Sequence, residues 1–439
     1  MLDVTTSRSE REQRWPASAR RAVIRVVRWP ASWSRRHPRR SIVLLALAAL
    51  FYSQCLSPLP WADRDPIPAP TSTARSLTAG PDAWPAPGAD ASVTGVTSTE
   101  LLSAPEVAWT RALSAEGIGL VADKRAVYLA LPEASQVIAL SAETGDELWR
   151  VDLVRRPDHA PALVGDMLYV QLRGTSMVAF DAATGAVRWT DEAESGLTAT
   201  PTVIDGILWG GKRGQVVALD AETGATLAAI GIGGFVRARL AVGPDRVAVA
   251  QGDALTFLDR ATGVRTFEAR FPGLRHVTVT GQTVIAVSDR QLVAFDAHEG
   301  LPWWDGVRNW WFRVHVYGGL PAVPAPPNLW VARMNCDVLA PVLTPDRVFV
   351  GCEEGIVRAY DLHTGALIWE QQRDPLADAP VLTASGLLII ERRALVVLDP
   401  ATGAERARVE VPEAGISDAI VTDSAIYMLT LDQLLIALR

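Results

Sequence analysis

One phrase recurs seven times along the chain and constrains its fold more than any other feature. Each copy carries an Asp-x-x-Thr-Gly corner or a close variant, and four copies place a Trp four residues after the Gly. The corner glycines are Gly145, Gly185, Gly224, Gly263, Gly300, Gly365 and Gly403. They stand 37 to 40 residues apart, except for an interval of 65 after the fifth. Self-similarity at this period predicts a solenoid or a propeller built from one repeated unit.

Each unit has the pattern of four short antiparallel strands, as in residues 161–190 with the runs PALV, MLYVQL, SMVAFD and AVRWTDE. Four such strands form a propeller blade. At the corner, Gly supplies a left-handed backbone, while the Asp and Thr side chains bond free N–H groups of the turn. The large ring on the outer strand is expected to pack between blades. These docking positions are Trp109, Trp149, Trp189, Phe267, Trp304 and Trp369.

Seven corners are compatible with eight blades. After the last corner, residues 418–438 supply three strands and the chain ends. Residues 107–113 align with residues 147–153, placing Trp109 over Trp149. We therefore predict an all-β, eight-bladed propeller whose last blade takes its outer strand from about 107–113, which closes the ring without a free edge.

The motif A-x-D-x-x-T-G-x-x-x-W at this period resembles the repeat of the PQQ-like, or quinoprotein alcohol dehydrogenase-like, eight-bladed propellers. The resemblance covers about 104–439 and implies that fold. The family includes PQQ-dependent enzymes and cofactor-free proteins such as the BamB-type lipoproteins of outer-membrane protein assembly. Fold alone therefore leaves the function open.

Three features favour the cofactor-free branch. The enzymes of the family are longer, and they commonly carry adjacent cysteines over the cofactor, whereas no two cysteines adjoin here. Most acidic residues that could ligate calcium occupy the repeated corner position, and the histidines show no zinc spacing. We expect no catalytic residue, no metal and no cofactor. A PQQ oxidoreductase with Ca²⁺ and an extracytoplasmic ligand-sensing propeller are the alternatives.

The N-terminal hundred residues predict export. Residues 1–40 hold eleven Arg against three acidic residues, whereas the whole chain has a net charge of −7. The rest of the chain is therefore acidic, which argues against nucleic acid as its partner. The apolar run within 41–56 has the pattern of a signal anchor or a cleaved signal peptide. Residues 57–103 form a Pro/Ala/Ser-rich linker. We expect a monomeric propeller in the periplasm, either tethered by a single inner-membrane span or released after cleavage.

An insertion at 301–337 breaks the repeat and is rich in aromatic residues. Exposed aromatic and Arg clusters are typical anchors of protein interfaces. The candidate partner-binding residues are Arg308, Trp310, Trp311, Phe312, Arg313, Tyr317 and Trp330. Packing of these rings on the propeller itself is the other interpretation. Cys336 and Cys352 flank the next predicted hairpin, so they are either a disulfide of an exported protein or two buried thiols.

Overall fold

The computed structural model describes residues 94–97, 106–174, 177–191, 197, 199–236, 239–251, 254–271, 273–288, 291–296, 328–411 and 415–439, and these residues form 31 strands and no helix. The predicted cytoplasmic segment 1–40, the segment 41–56, most of the linker and residues 301–327 of the insertion lie outside them. Within the described residues, no helix is long and apolar enough to cross a membrane.

The strands group into eight antiparallel sheets, numbered as blades in chain order. Blade 1 contains β2 (Ile118–Ala122), β3 (Ala126–Leu131), β4 (Gln136–Ser141) and β5 (Glu147–Asp152). Blade 2 contains β6 (Ala162–Val164), β7 (Met167–Gln171), β8 (Met177–Asp181) and β9 (Val187–Asp191). Blade 3 contains β10 (Thr202–Ile204), β11 (Ile207–Asp220) and β12 (Thr226–Phe235). Blade 4 contains β13 (Ala241–Val242), β14 (Arg246–Gln251), β15 (Ala254–Asp259) and β16 (Arg265–Arg270).

The second half of the ring repeats the pattern. Blade 5 contains β17 (Leu274–Thr280), β18 (Thr283–Ser288), β19 (Gln291–Asp296) and β20 (Trp330–Arg333). Blade 6 contains β21 (Val342–Leu343), β22 (Arg347–Gly351), β23 (Ile356–Asp361) and β24 (Leu367–Gln372). Blade 7 contains β25 (Val381–Thr383), β26 (Gly386–Glu391), β27 (Ala394–Leu398) and β28 (Glu405–Glu410). Blade 8 contains β29 (Ile416–Val421), β30 (Ile426–Thr430), β31 (Leu434–Leu438) and the N-terminal β1 (Val107–Ala112).

Blade 3 keeps the four-stranded plan although its sheet has three named strands. The first part of β11 pairs with β10, and its second part pairs with β12. Gly214 lies between the two parts with φ +77°, a left-handed value that Gly adopts without strain. The strand β11 therefore bends back on itself and serves as the two middle strands of the blade.

The ring closes through the predicted pairing of the two ends of the propeller. Strand β1 lies antiparallel to β31, with Trp109 opposite Ala437 and Ala112 opposite Leu434. The amide of Leu113 continues the ladder by donating to the carbonyl of Gln433 at 2.9 Å. The prediction of eight blades closed by an N-terminal outer strand is confirmed.

Apolar side chains from the two middle strands of neighbouring blades form the core. In β3 all six residues are buried, because both faces of the strand are covered by adjacent sheets. One cluster joins blades 7, 8 and 1 through Ile390, Tyr427 and Leu129. The outer strands instead alternate between exposed and half-buried residues, as in β5. The core is thus a set of layers between blades rather than one central mass.

Candidate functional site

The corner of blade 2 shows how the repeat motif folds. One carboxylate oxygen of Asp181 accepts hydrogen bonds from the amide and the hydroxyl of Thr184, at 2.9 and 2.8 Å. The amide of Gly185 donates to the carbonyl of Asp181 at 2.8 Å, and Gly185 has φ +72°. At the equivalent Asp361, hydrogen bonds from Thr364 hold the pKa of the carboxyl below its ordinary value. These bonds account for the recurring Asp, Thr and Gly.

Each docking Trp contacts the corner of the following blade. The Nε1 of Trp149 in blade 1 donates to the carbonyl of Ala182 in blade 2 at 2.9 Å, and its ring covers the Cα of Gly185. A Cβ at Gly185 would stand 2.8 Å from the indole. The same arrangement joins Trp109 to Gly145, Trp189 to Gly224 and Trp369 to Gly403. The corner Gly is therefore required for an inter-blade contact as well as for its φ.

Trp330 corrects the assignment made from the sequence. The sequence predicts Trp330 as a partner-binding residue and Trp304 as the docking residue of blade 5. The structure shows Trp330 as the first residue of the outer strand β20, only 7% exposed. Its Nε1 donates to the carbonyl of Leu362 at 2.7 Å, and its ring lies on Gly365. Because the insertion separates the corner from its outer strand, counting four residues past Gly300 selected the wrong Trp.

Other predicted site residues have mixed outcomes. Phe267 is buried and stacks on Phe257 with 4.6 Å between ring centroids. The remaining candidates lie outside the described residues: Trp304, Arg308, Trp310, Trp311, Phe312, Arg313 and Tyr317.

The sulfur atoms of Cys336 and Cys352 are joined at 2.01 Å, and both residues are buried beside Met334 and Val338. The Glu354 carboxylate lies within 4.8 Å of both sulfurs. Thiolates are the form of Cys that binds metals, so a disulfide does not supply these ligands. The pair therefore belongs to the structure of blades 5 and 6 rather than to a metal centre.

One cavity is lined by charged and imidazole side chains from several blades. It lies where the innermost strands of all eight blades converge, and we call it the channel site. Its volume is about 620 Å³. Every blade contributes a residue at or just before the start of its first strand. In ring order from blade 1, these residues are Gly119, His159, Thr200, Arg239, His276, Ala340, Asp378 and Asp418. The repeated fold thus presents six different residue types at equivalent or adjacent positions of the eight blades.

Two carboxyls form the acidic side of the channel site. Asp378 and Asp418 belong to neighbouring blades, and their carboxyls interact with each other. Burial and the charge of Asp418 raise the pKa of Asp378 well above its ordinary value. Burial also raises the pKa of Asp418, against hydrogen bonds from Asp378 and from the amide of Leu120, which lies 3.2 Å from Oδ2. The two groups therefore titrate as a pair that retains a shared proton above the usual carboxyl range.

A cationic and imidazole side lies across the channel. Blade 4 is four steps from blade 8 in the ring, so Arg239 is opposite Asp418. The Nε of Arg239 donates to the hydroxyl of Thr202 at 3.2 Å. Burial, with the charge of Arg275, lowers the pKa of His276 to about 4, so this imidazole is neutral at pH 7. The channel site is consequently polarised across its axis.

A short piece of the N-terminal linker covers part of the channel wall. The carbonyl of Thr94 accepts from the amide of Leu343, and the carbonyl of Gly95 accepts from that of Leu382, both at 2.9 Å. Val96 pairs in parallel with Leu382, and Gly95 lines the cavity. We call residues 94–97 the strap. It occupies the channel-facing edge of the first strand of blade 7, where a propeller normally has no further strand.

The channel residues were missed in the sequence analysis, although the sequence carries a signal for some of them. Ala-Pro precedes the first strand in three blades, at 160–161, 340–341 and 379–380. The residue before each Ala-Pro lines the channel, namely His159, Leu339 and Asp378. Only superposition of the repeats onto a closed ring shows that these positions meet.

The donors of the channel site do not match a calcium–PQQ centre. Calcium takes six to eight oxygen ligands, usually several carboxylates with carbonyl or amide oxygens. Among the described residues that line the cavity, the carboxyls are those of Glu116, Asp378 and Asp418, and there is no Asn or Gln. The only group of three potential metal ligands in the described part of the chain is the one at Cys336 and Cys352. The residues of the channel site therefore do not fit a calcium–PQQ group.

The fold and the repeat define this protein as an eight-bladed propeller of the PQQ-like class. The sequence model of the family described as outer membrane protein assembly factor BamB matches residues 98–232, 212–372 and 353–439, and the chain belongs to this family. No curated protein sequence matches the chain significantly.

Solved structures share the fold at low sequence identity. BamB from Moraxella catarrhalis is 17% identical, with a TM-score of 0.56 over 77% of this chain and 98% of that one. A quinohemoprotein alcohol dehydrogenase from Pseudomonas putida HK5 is 14% identical, with a TM-score of 0.62 over 86% and 83%. The computationally designed Ika8 protein also has a TM-score of 0.62, at 14% identity over 76% and 99%. These likenesses describe the fold, which assembly factors, enzymes and designed proteins share.

Proposed function

We propose that this chain is a non-catalytic, extracytoplasmic propeller that binds other proteins as a scaffold in the bacterial cell envelope. The observation that carries the proposal is the donor set of the channel, where the enzymes of this fold class would need a calcium and quinone site. In place of such a set, the described lining holds three carboxyls, those of Glu116, Asp378 and Asp418, and no Asn or Gln. Membership in the BamB family supports a role in outer-membrane protein assembly. The basic segment and apolar run before residue 57 support delivery outside the cytoplasm.

The flank of blades 5 and 6 is the surface that we assign to a protein partner. Leu329 and Val331 on blade 5 are 52% and 47% exposed, and Leu367 and Ile368 on blade 6 are 53% and 42% exposed. Strand β20 lies near the C-terminal end of the insertion 301–337, so this apolar flank is close in sequence to the predicted partner-binding residues. Large apolar side chains that cluster on a soluble surface mark interaction sites.

A binding experiment tests this assignment. The full-length chain with a photo-crosslinking residue at position 367 is expressed in the native host cell. Proteins crosslinked to it after irradiation are then identified. We expect a crosslink to a component of outer-membrane protein assembly, which Leu329→Asp on the facing blade weakens. Leu148→Asp is the matched control, because Leu148 is equally exposed, at 53%, on the outer strand of blade 1. No crosslink, or equal loss with both substitutions, would contradict the assignment.

A quinoprotein oxidoreductase is the second candidate, because Asp378 and Asp418 are channel carboxyls outside the repeat corners. Titration of the purified chain with PQQ and Ca²⁺, followed by Trp fluorescence and dye-linked alcohol oxidation, distinguishes the two candidates. Saturable quenching with turnover would establish the enzyme and overturn the scaffold proposal.

A further inference from the structure

The channel site carries opposite charges on opposite walls, and neither the scaffold proposal nor the fold explains them. Polar side chains at such converging positions must be desolvated, which is unfavourable unless they have partners. Other blades fill the equivalent place with Gly119 and Ala340, which shows that the fold itself requires no charge there. The charged residues that line the cavity are Asp378 and Asp418 of blades 7 and 8, Glu116 between blades 8 and 1, and Arg239 of blade 4 on the opposite side.

The acidic wall matches one organic ammonium group. Asp378 and Asp418 interact with each other, and burial raises the pKa of both, so the pair holds a proton more readily than free carboxyls do. An ammonium has three N–H donors and one positive charge, so it can replace the shared proton and bridge both carboxyls. The amides of Ala379 and Leu120 hold these carboxyls in place, at 2.6 Å to Asp378 Oδ1 and 3.2 Å to Asp418 Oδ2. A divalent metal would need more oxygen ligands than this wall offers.

The opposite wall matches a carboxylate. A guanidinium is a planar donor that recognises carboxylates in a fixed geometry. Arg239 is held by the Thr202 hydroxyl, which itself donates to the carbonyl of Leu240 at 2.8 Å. The neutral imidazole of His276 and the hydroxyl of Thr200 supply further polar groups on the same side.

We propose that the channel site binds a small zwitterion, a free amino acid or a short peptide, with its ammonium group at Asp378 and Asp418 and its carboxylate at Arg239. The cavity of about 620 Å³ lies within the range of small-molecule sites. Apolar residues such as Leu339, Val381 and Leu429 line it between the charged walls and would contact the side chains of the ligand. This proposal is independent of the partner surface on blades 5 and 6.

The proposal is tested on the full-length chain with two probes, an equimolar mixture of the common amino acids and a mixture of dipeptides. We expect one mixture to raise the Tm, and its strongest component to give a saturable isotherm by calorimetry. N-acetylation or C-amidation of that component should each weaken binding at least about tenfold, as should Asp418→Asn and Arg239→Gln. Arg239→Lys should retain part of the affinity because it keeps the charge. Asp423→Asn, an exposed site outside the channel, is the matched control and should bind like the parent.

Proton release on binding provides a second readout. The cavity is also lined by Glu116, His159, Arg239 and His276, so the release must be assigned to the Asp378–Asp418 pair by substitution. If the ammonium displaces the shared proton, the binding enthalpy will depend on the ionisation enthalpy of the buffer, and Asp378→Asn will abolish that dependence. The proposal is overturned if neither mixture saturates by about 10 mM. It is also overturned if blocked and free peptides bind alike, or if Ca²⁺ binds in place of both mixtures.

Discussion

The indole ring of Trp149 lies on Gly185 of the next blade, so a single contact explains two of the repeated residues. The ring nitrogen donates to the carbonyl of Ala182, and a Cβ on Gly185 would meet the ring at 2.8 Å. The corner of one blade and the outer strand of the preceding blade are therefore constrained together, at a sequence distance of 36 residues between Trp149 and Gly185.

Substitution of Gly185 by Ala should destabilise the propeller more than its backbone strain alone explains. A left-handed residue other than Gly costs about 1–2 kcal/mol. The substitution Gly214→Ala reports the backbone strain alone, because Gly214 has φ +77° and nothing lies within 4 Å of an added Cβ. We expect Gly185→Ala to lower the free energy of unfolding by at least about 1 kcal/mol more than Gly214→Ala in chemical denaturation. In a Trp149→Ala background the difference should disappear, and its persistence would contradict the contact.

Trp330 should behave as an inter-blade residue rather than as a surface anchor. Truncation of a buried aromatic side chain costs about 3–5 kcal/mol. We expect Trp330→Ala to reduce the free energy of unfolding by a similar amount to Trp369→Ala, the corresponding residue of the next blade. A loss below about 1 kcal/mol, in the range of surface substitutions, would show that Trp330 does not dock on Gly365.

The carboxyl pair of the channel should make stability depend on pH. Since the native pKa values of Asp378 and Asp418 are raised, their contribution is most favourable below the unfolded carboxyl pKa and is lost as pH rises through the native values. Each unit of elevation amounts to about 1.4 kcal/mol at neutral pH. Asp418→Asn should therefore raise the Tm at pH 7 and leave it nearly unchanged at pH 4. Equal effects at both pH values would contradict a shared proton.

A buried carboxylate between blades 6 and 7 should be the most sensitive ion-pair site in the described part of the chain. Glu391 is 1% exposed, and its two oxygens lie 3.0 Å from Arg373 Nε and 3.0 Å from Arg408. Removing one partner of a buried pair costs about 3–5 kcal/mol when the other charge is left unpaired. Arg373 and Arg408 keep their contacts with Glu405, so we expect Glu391→Gln to lower stability by an amount at or below the lower end of this range.

Glu410 is the matched control for Glu391. It also pairs with Arg408, at 3.4 Å, but its side chain is 71% exposed. Exposed pairs contribute about 0–1 kcal/mol. Glu410→Gln should therefore change the Tm little, and similar losses at Glu391 and Glu410 would show that burial does not govern this network.

The sequence by itself determined the repeat, the number of blades and the closure of the ring. These features follow from local chemistry, because turn residues and strand alternation act within a few residues of one another. The pairing of β1 with β31 could also be predicted, since the two fragments of the repeat complete each other at the chain ends. For the same reason Trp109, Trp149, Trp189 and Trp369 were recognised from their spacing to the corner.

The tertiary structure decided which residues meet. Counting from the corner failed at Trp330, because an insertion changes the spacing along the chain without moving the outer strand in space. The channel site was invisible for a related reason. Arg239 and Asp418 occupy equivalent positions in different repeats, and Asp378 lies one position earlier in its own repeat. Repeats that are far apart in sequence face one another only when the ring closes. A repeat motif encodes the contacts between neighbouring blades. Side chains at the axis come together only when the ring closes, so no local motif records which of them meet.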